Sequence, residues 1–131
     1  MTLEVKPADL EQFFPIYEKW CKERDFPPGL RENFEEIYVC YSSGTPLYSC
    51  FVWTTKSKMC MIGFPLGNPS IPYYTRKGAL PFLFKELSRL MGERGFTKIW
   101  TTSGTERVEQ ALLEQDFINA DPNVNVYIKM M

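Results

Sequence analysis

Residues 72–96 place a basic, glycine-bearing loop directly before an amphipathic helix, and this order of features constrains the fold more than any other. From Leu80 onward, apolar residues recur at intervals of three and four, which is the period of one helical face. Gly95 follows as a helix-stopping residue. The main-chain amides at the start of this helix, with Arg76 and Lys77 beside them, are suited to bind an anion.

The charge of the chain is close to balance overall but is distributed unevenly. A net charge of −1 gives no general attraction to nucleic acid or to an anionic membrane. Residues 37–85, however, contain no Asp or Glu and carry five cations. These are Lys56, Lys58, Arg76, Lys77 and Lys85. We therefore expect a local anion-binding patch, with neither nucleic acid nor a membrane as a partner.

Length and composition predict one globular domain, residues 1–131. Of these residues 44% are hydrophobic and 24% are charged, which excludes a disordered chain. There is no histidine, and the four cysteines are not in a CxxC arrangement, so we expect no metal site. The sequence has neither a signal-type apolar segment at its start nor an apolar run of membrane length. We expect free thiols in a cytoplasmic protein.

The remaining patterns predict an α/β (α+β) fold with a mixed, mostly antiparallel sheet. We expect about six to seven strands and about four helices, in the order β-α-α-β-β-β-α-β-α-β-β. The predicted strands are residues 3–5, 36–41, 47–54, 58–64, 98–102, 117–120 and 124–131.

The predicted helices have the apolar stripes and terminal signals of amphipathic helices. The first contains Pro15, which should kink or split it, and the second is short, at residues 30–35. The third is the helix after the basic loop, and its crossover should make the strand that follows parallel to the strand before it. The fourth follows residues 103–106, which have the form of a capping box.

This order, together with residues 72–80, resembles the GNAT superfamily of N-acetyltransferases over nearly the whole chain. That family has a Pro-x-Tyr-(Arg/Gln)-x-x-Gly-x-(Gly/Ala) loop, matched here by Pro72, Tyr74 and Gly78. It also has a helix ending in Glu-Arg-Gly-Phe-x-x-(Ile/Leu), matched by residues 93–99. The resemblance implies that the substrates are acetyl-CoA and a primary amine. The acceptor amine is left open, as is the formation of a homodimer.

The resemblance also assigns roles to particular residues. The loop amides would hold the pyrophosphate of acetyl-CoA, while the preceding strand would separate from its parallel neighbour and admit the pantetheine. The implied cofactor-binding residues are Ile62, Gly63, Phe64, Thr75, Arg76, Lys77, Gly78, Ala79 and Thr105. The candidate catalytic residues are Tyr73 and Tyr74 in the loop, and Glu35 and Glu36, with Glu32, on the segment that borders the acceptor site.

Several positions depart from the family pattern and leave a second hypothesis about the function open. Thr75 occupies the Arg/Gln place, Leu80 replaces the last small residue, and Pro81 lacks an amide hydrogen. Leu112 stands where the family often has a tyrosine acid. The alternative is a catalytically inactive GNAT-like domain that binds within a larger assembly. Cys60, on the strand beside the expected thioester, is interpreted as a small buried thiol rather than a nucleophile.

Overall fold

A single five-stranded sheet forms the centre of the protein. The computed structural model describes residues 2–121, 123 and 127–131. The strands are β1 (Leu3–Ala8), β2 (Glu36–Ser42), β3 (Thr45–Thr54), β4 (Met59–Gly67) and β5 (Lys98–Trp100), and they lie side by side in that order. Strands β1 to β4 are antiparallel, and β5 is parallel to β4, as the predicted crossover requires.

The helices cover both faces of this sheet. They are α1 (Leu10–Glu23), a 3-10 turn (Arg31–Asn33), α2 (Tyr73–Arg76), α3 (Ala79–Glu93) and α4 (Glu106–Glu114). We call the side covered by α1 the α1 face and the side covered by α3 and α4 the α3 face. The α1 face buries Phe13, Phe14, Tyr17, Trp20, Phe34 and Phe51. The α3 face buries Cys40, Cys50, Cys60, Leu83, Phe84, Leu87 and Met91.

Helix α3 forms where the spacing of apolar residues predicts it. It ends as the sequence indicates: Gly95 has a φ of +95°, and the amide of Phe96 donates to the carbonyl of Met91. Pro81 lies in the first turn of α3, where an amide hydrogen has no intrahelical partner. The helix therefore starts at Ala79 in spite of Pro81, and Leu80 takes a helical, buried position.

Two predictions about the helices are wrong in detail, and a third is corrected in part. Pro15 was expected to kink or split α1, and a split is excluded because the helix runs through it from Leu10 to Glu23. The predicted second helix at residues 30–35 is only the 3-10 turn, because Phe34 turns to extended geometry and packs on Phe51 with ring centroids 4.0 Å apart. The cap of α4 is Thr105 rather than Ser103, and the Thr105 hydroxyl accepts from the amide of Val108.

The described residues of the C-terminal segment do not form the expected closing strands. Residues 117–120 are not a strand, because the amide of Phe117 closes the end of α4 on the carbonyl of Leu112. Residues 127–131 are also not a strand, and their large apolar side chains are mostly exposed. The predicted strand at residues 124–131 begins with three residues outside the described ranges, and the sheet of the described chain has five strands instead of six or seven. Among the described residues, no helix combines the length and the apolar character that crossing a bilayer requires.

Candidate functional site

Strands β4 and β5 separate half-way along β4. They pair only from Met59 with Lys98 to Met61 with Trp100, where β5 ends. The hydroxyl of Thr101 donates to the carbonyl of Ile62 at 2.8 Å and holds the two segments together where the pairing stops. Residues 62–67 of β4 continue with no paired neighbour on that side among the described residues. The carbonyls of Ile62 and Gly67 accept from Thr101 and Arg24, and between them this edge of β4 has no strand beside it among the described residues, which leaves a place for an extended ligand.

A β-bulge lies in the same unpaired part of β4. Ser49 pairs with Leu66 and Phe51 pairs with Gly63, so that two residues of β4 stand opposite Cys50 alone. One of these, Phe64, has a φ of +52° and leaves 62% of its side chain exposed. A bulky residue in the left-handed region is uncommon, and such strain concentrates at functional sites.

The start of α3 is exposed to solvent at Gly78. No side chain of the described chain caps this helix. Gly78 is exposed, and a Cβ at this position would meet no atom within 4 Å. The positive end of the α3 dipole is thus accessible to an anion.

Arg76 and Lys77 are neighbours in sequence but occupy different environments. The Arg76 guanidinium is buried, and it donates to the carbonyl of Ile71 at 3.0 Å and to the hydroxyl of Tyr48 at 2.6 Å. A Cβ on Gly67 would lie 2.3 Å from Nη1 of Arg76, so only glycine leaves room for it. Arg76 therefore fastens the loop to the sheet, whereas the Lys77 side chain is exposed.

Two further arginines approach the same end of β4. Arg24 donates from Nε to the carbonyl of Gly67 at 3.2 Å. Burial lowers the pKa of Arg24, and the positive charges of Arg76 and Arg107 lower it further. The Arg107 guanidinium lies 3.6 Å from the ring centroid of Tyr73. The end of β4 is accordingly a positively charged region.

The carboxylates and hydroxyls considered as catalytic groups are placed as follows. Glu35 accepts from the amide of Thr54 at 3.1 Å and from the Thr54 hydroxyl. Glu36 accepts from Arg94 with both oxygens, at 2.7 and 3.0 Å. Both carboxylates are thus engaged by groups of the protein itself. The Tyr73 ring packs against Arg107, while Tyr74 is 76% exposed, and Glu32 is also exposed.

An apolar cavity of about 270 Å³ lies on the α1 face against the bulge. Its lining residues are Tyr17, Phe26, Pro27, Phe64, Pro65 and Leu66. Of these six, only Phe64 was predicted from the sequence as a site residue. Two of the contributing segments contain a Phe-Pro pair, Phe26-Pro27 and Phe64-Pro65, and this repeated pairing is the signal that could have drawn attention to them.

Comparison with solved structures finds a similar fold in acetyltransferases. An aminoglycoside acetyltransferase from an uncultured soil metagenomic sample, in complex with sisomicin, aligns with a TM-score of 0.72 and 12% identity, over 98% of this chain and 97% of that chain. A ribosomal-protein-alanine N-acetyltransferase from Brucella melitensis biovar Abortus 2308 aligns with a TM-score of 0.67 and 12% identity, over 99% of both chains. The chain has the GNAT acetyltransferase fold.

Other comparisons bear on how far this likeness extends. A structure described as a predicted acetyltransferase with acetyl-CoA, from Clostridium acetobutylicum, aligns with a TM-score of 0.62 and 10% identity, over 96% of both chains. No protein-family model and no curated protein matches the sequence. Because these sequence identities are low, the comparisons confirm the resemblance to the GNAT superfamily for the fold alone.

Within the GNAT fold, the residues that the resemblance selected as cofactor-binding lie in three places. Ile62, Gly63 and Phe64 lie where β4 leaves β5. Thr75, Arg76, Lys77, Gly78 and Ala79 run from α2 into α3, and Thr105 caps α4. Cys60 is fully buried and burial raises the pKa of its thiol, so the interpretation as a packed thiol is confirmed. All four cysteines are free and buried.

Proposed function

We propose that the protein is an N-acetyltransferase that moves the acetyl group of acetyl-CoA to a primary amine. The observation that carries the proposal is the separation of β4 from β5 in a chain with the GNAT fold, together with the uncapped start of α3. The solved structure from Clostridium acetobutylicum that contains acetyl-CoA, and the two named acetyltransferases, support the choice of donor and reaction.

In the proposed donor site, both main-chain and side-chain groups bind CoA. Gly78, which is exposed, offers its amide to the pyrophosphate at the positive end of α3, and the exposed Lys77 adds a mobile charge, whereas Ala79 is buried behind them. Arg76 acts by positioning this loop, because its guanidinium is already hydrogen-bonded to Tyr48 and Ile71. The pantetheine lies along residues 62–64, with Thr75 and Thr105 as hydroxyl contacts near its two ends.

In the proposed reaction the amine nitrogen attacks the carbonyl carbon of the thioester. The carbon–sulfur bond then breaks, the CoA thiolate leaves with the bonding electrons, and the proton lost by the nitrogen neutralises the sulfur. Main-chain donors of β4 stabilise the negative oxygen of the intermediate, and alignment of the two substrates supplies much of the acceleration. Tyr73 and Tyr74 are the candidate proton donors to the thiolate, and replacement of each by Phe tests that role.

A thermal-shift titration with CoA tests donor binding. We expect Tm to rise with CoA concentration, since a ligand that binds the folded state stabilises it. In Gly78→Trp the shift should be lost, because the new side chain fills the space in front of the α3 amides. Gly92→Trp is the matched control: Gly92 is also exposed, lies near the other end of α3, and a Cβ placed there would likewise meet no atom within 4 Å.

The result that contradicts the donor site is an unchanged Tm at millimolar CoA in the wild type. Equal shifts in wild type and Gly78→Trp would contradict the placement of the phosphates at Gly78. Both glycine variants should unfold at nearly the wild-type temperature without ligand, which confirms that the comparison reports on binding.

A second candidate function is a GNAT-like domain that binds CoA or a protein partner without catalysis. The observations that favour it are the engagement of Glu35 and Glu36 by Thr54 and Arg94, and the buried Leu112. Release of free thiol from acetyl-CoA in the presence of an amine separates the two candidates. Binding of CoA without amine-dependent release across a broad panel of amines would favour the second.

A further inference from the structure

The cavity against the β4 bulge has a buried floor and an exposed rim. Tyr17 and Leu66 form the floor and are nearly inaccessible to solvent. Phe26 and Phe64 form the rim, and more than half of each side chain is exposed. The cavity is therefore formed by the fold and opens directly to solvent, as an entry site for a small molecule would.

Aromatic packing beneath the cavity gives it a fixed shape. Tyr17 meets Phe51 edge to face, with ring centroids 4.7 Å apart, and Phe51 stacks on Phe34 at 4.0 Å. Phe34 in turn contacts Phe64 of the rim edge to face, at 6.1 Å. These contacts support the Phe64 side of the rim with packed aromatic rings.

The six lining residues contain no charged side chain. A polycationic ligand would need carboxylates to replace the water that it loses on binding, and this lining offers none. The lining consists of three aromatic rings, two prolines and a leucine, which favour flat or branched apolar groups.

The size of the cavity also limits its ligand. A cavity of about 150 Å³ lined by apolar residues is large enough to bind benzene. The cavity here is about 270 Å³ and opens widely to solvent, so it would hold one aromatic ring with part of the ring still exposed. The cavity shares Phe64, Pro65 and Leu66 with the part of β4 that has no partner on the β5 side. A ligand in the cavity would therefore lie next to the proposed thioester position.

We infer that the acceptor is a small primary amine bearing one aromatic or branched apolar group, and that this group occupies the cavity of the α1 face. The inference rests on the proposed acetyltransferase function and specifies its acceptor class. The lining holds no carboxylate that could act as a base for this amine. The ammonium group gives a proton to water, and the neutral nitrogen then attacks the thioester. The rest of the reaction is the acetyl transfer described above.

The probe is 2-phenylethylamine, compared with putrescine and sisomicin as polycationic amines. Thiol release from acetyl-CoA gives kcat/KM for each amine. We expect 2-phenylethylamine to exceed both polycations by at least about tenfold, the discrimination that one well-filled apolar pocket supplies. A higher kcat/KM for putrescine or sisomicin would overturn the inference and leave the acetyltransferase function standing.

A pair of variants tests whether the cavity itself selects the amine. Phe26→Ala should lower kcat/KM for 2-phenylethylamine by about tenfold. Leu30→Ala is the matched control, since Leu30 lies in the same loop with 56% of its side chain exposed, against 54% for Phe26, but does not line the cavity. Equal effects of the two substitutions would overturn the assignment of the cavity.

Binding of 2-phenylethylamine is also measured directly, by saturation-transfer NMR with and without CoA. This readout does not depend on turnover, so it separates the two proposals. Binding that Phe26→Ala removes and Leu30→Ala keeps supports the cavity assignment even if no acetyl group is transferred. Absence of binding in both conditions overturns it, whereas loss of the CoA thermal shift counts against the acetyltransferase function alone.

Discussion

The two faces of the sheet are covered by different kinds of side chain. The α1 face buries stacked aromatic rings and carries an open apolar cavity at its edge. The α3 face buries leucines and three thiols, and at the end of β4 it carries the Arg76 hydrogen bonds and the open start of α3. The bulge of β4 lies between these two environments. The proposed function uses this difference by assigning the phosphate-bearing donor to the α3 face and the apolar acceptor to the α1 face.

The strongest test of this contrast is the replacement of Arg76, the buried cation of the α3 face. Arg76→Gln leaves the Tyr48 hydroxyl and the Ile71 carbonyl without full hydrogen bonding in a buried place. We expect the free energy of unfolding to fall by about 3 kcal/mol. Urea denaturation followed by tryptophan fluorescence measures the change.

The adjacent cation supplies the control for that experiment. Lys77 is exposed, so Lys77→Gln should change the free energy of unfolding by less than about 0.5 kcal/mol. It should instead weaken CoA binding, by a factor that shrinks as salt is added. Similar losses of stability in the two variants would contradict the distinction between a positioning and a binding cation.

The thiols of the α3 face predict a loss of stability in alkali. Burial raises the pKa of Cys40 to about 12 and that of Cys50 to about 12, from an ordinary value near 9. The neutral form is thus favoured in the folded state, so this stability is complete below pH 9 and is lost as pH rises from 9 toward 12. We expect the free energy of unfolding to fall by about 3 kcal/mol between pH 7 and pH 10.

Urea denaturation at several pH values measures this dependence. The control is the double variant Cys40→Ala/Cys50→Ala, which is less stable at pH 7 because of the volume removed but should lose less stability in alkali. An unchanged pH slope in the double variant would show that other groups are responsible.

The smallest expected effect concerns a polar residue buried in the sheet. Ser49 is fully buried, and its hydroxyl has no hydrogen-bond partner among the described residues. Ser49→Ala should therefore raise the free energy of unfolding by about 1 kcal/mol, because an unsatisfied buried hydroxyl is removed with little loss of volume. Chemical denaturation measures it, and destabilisation would indicate a bound water or an unrecognised partner at Ser49.

Local patterns were sufficient to predict much of the fold. The apolar spacing after Leu80 and the stop at Gly95 predicted α3, and the crossover rule predicted that β5 is parallel to β4. The turn between β2 and β3 was also predicted, and its residues Ser43 and Gly44 both have the positive φ that a type I′ hairpin turn requires.

Features formed by contacts distant in sequence could not be predicted in the same way. The burial of Arg76 depends on Tyr48, which lies 28 residues away, and the pairing of Glu36 depends on Arg94, which lies 58 residues away. The bulge at Phe64 depends on the register between β3 and β4, which no local pattern specifies. The sequence therefore indicated a cationic loop and several carboxylates, but not the residues with which these groups form hydrogen bonds.

The most direct test of the donor site is a titration of the 15N-labelled protein with CoA, followed by amide chemical shifts. The account predicts that the amides of Gly78 and Ala79 and those of residues 62–64 shift together, while the signal of the Arg76 side-chain Nε stays in place. Shifts that are absent at millimolar CoA, or confined to the Ser43–Gly44 hairpin at another part of the sheet, would contradict it.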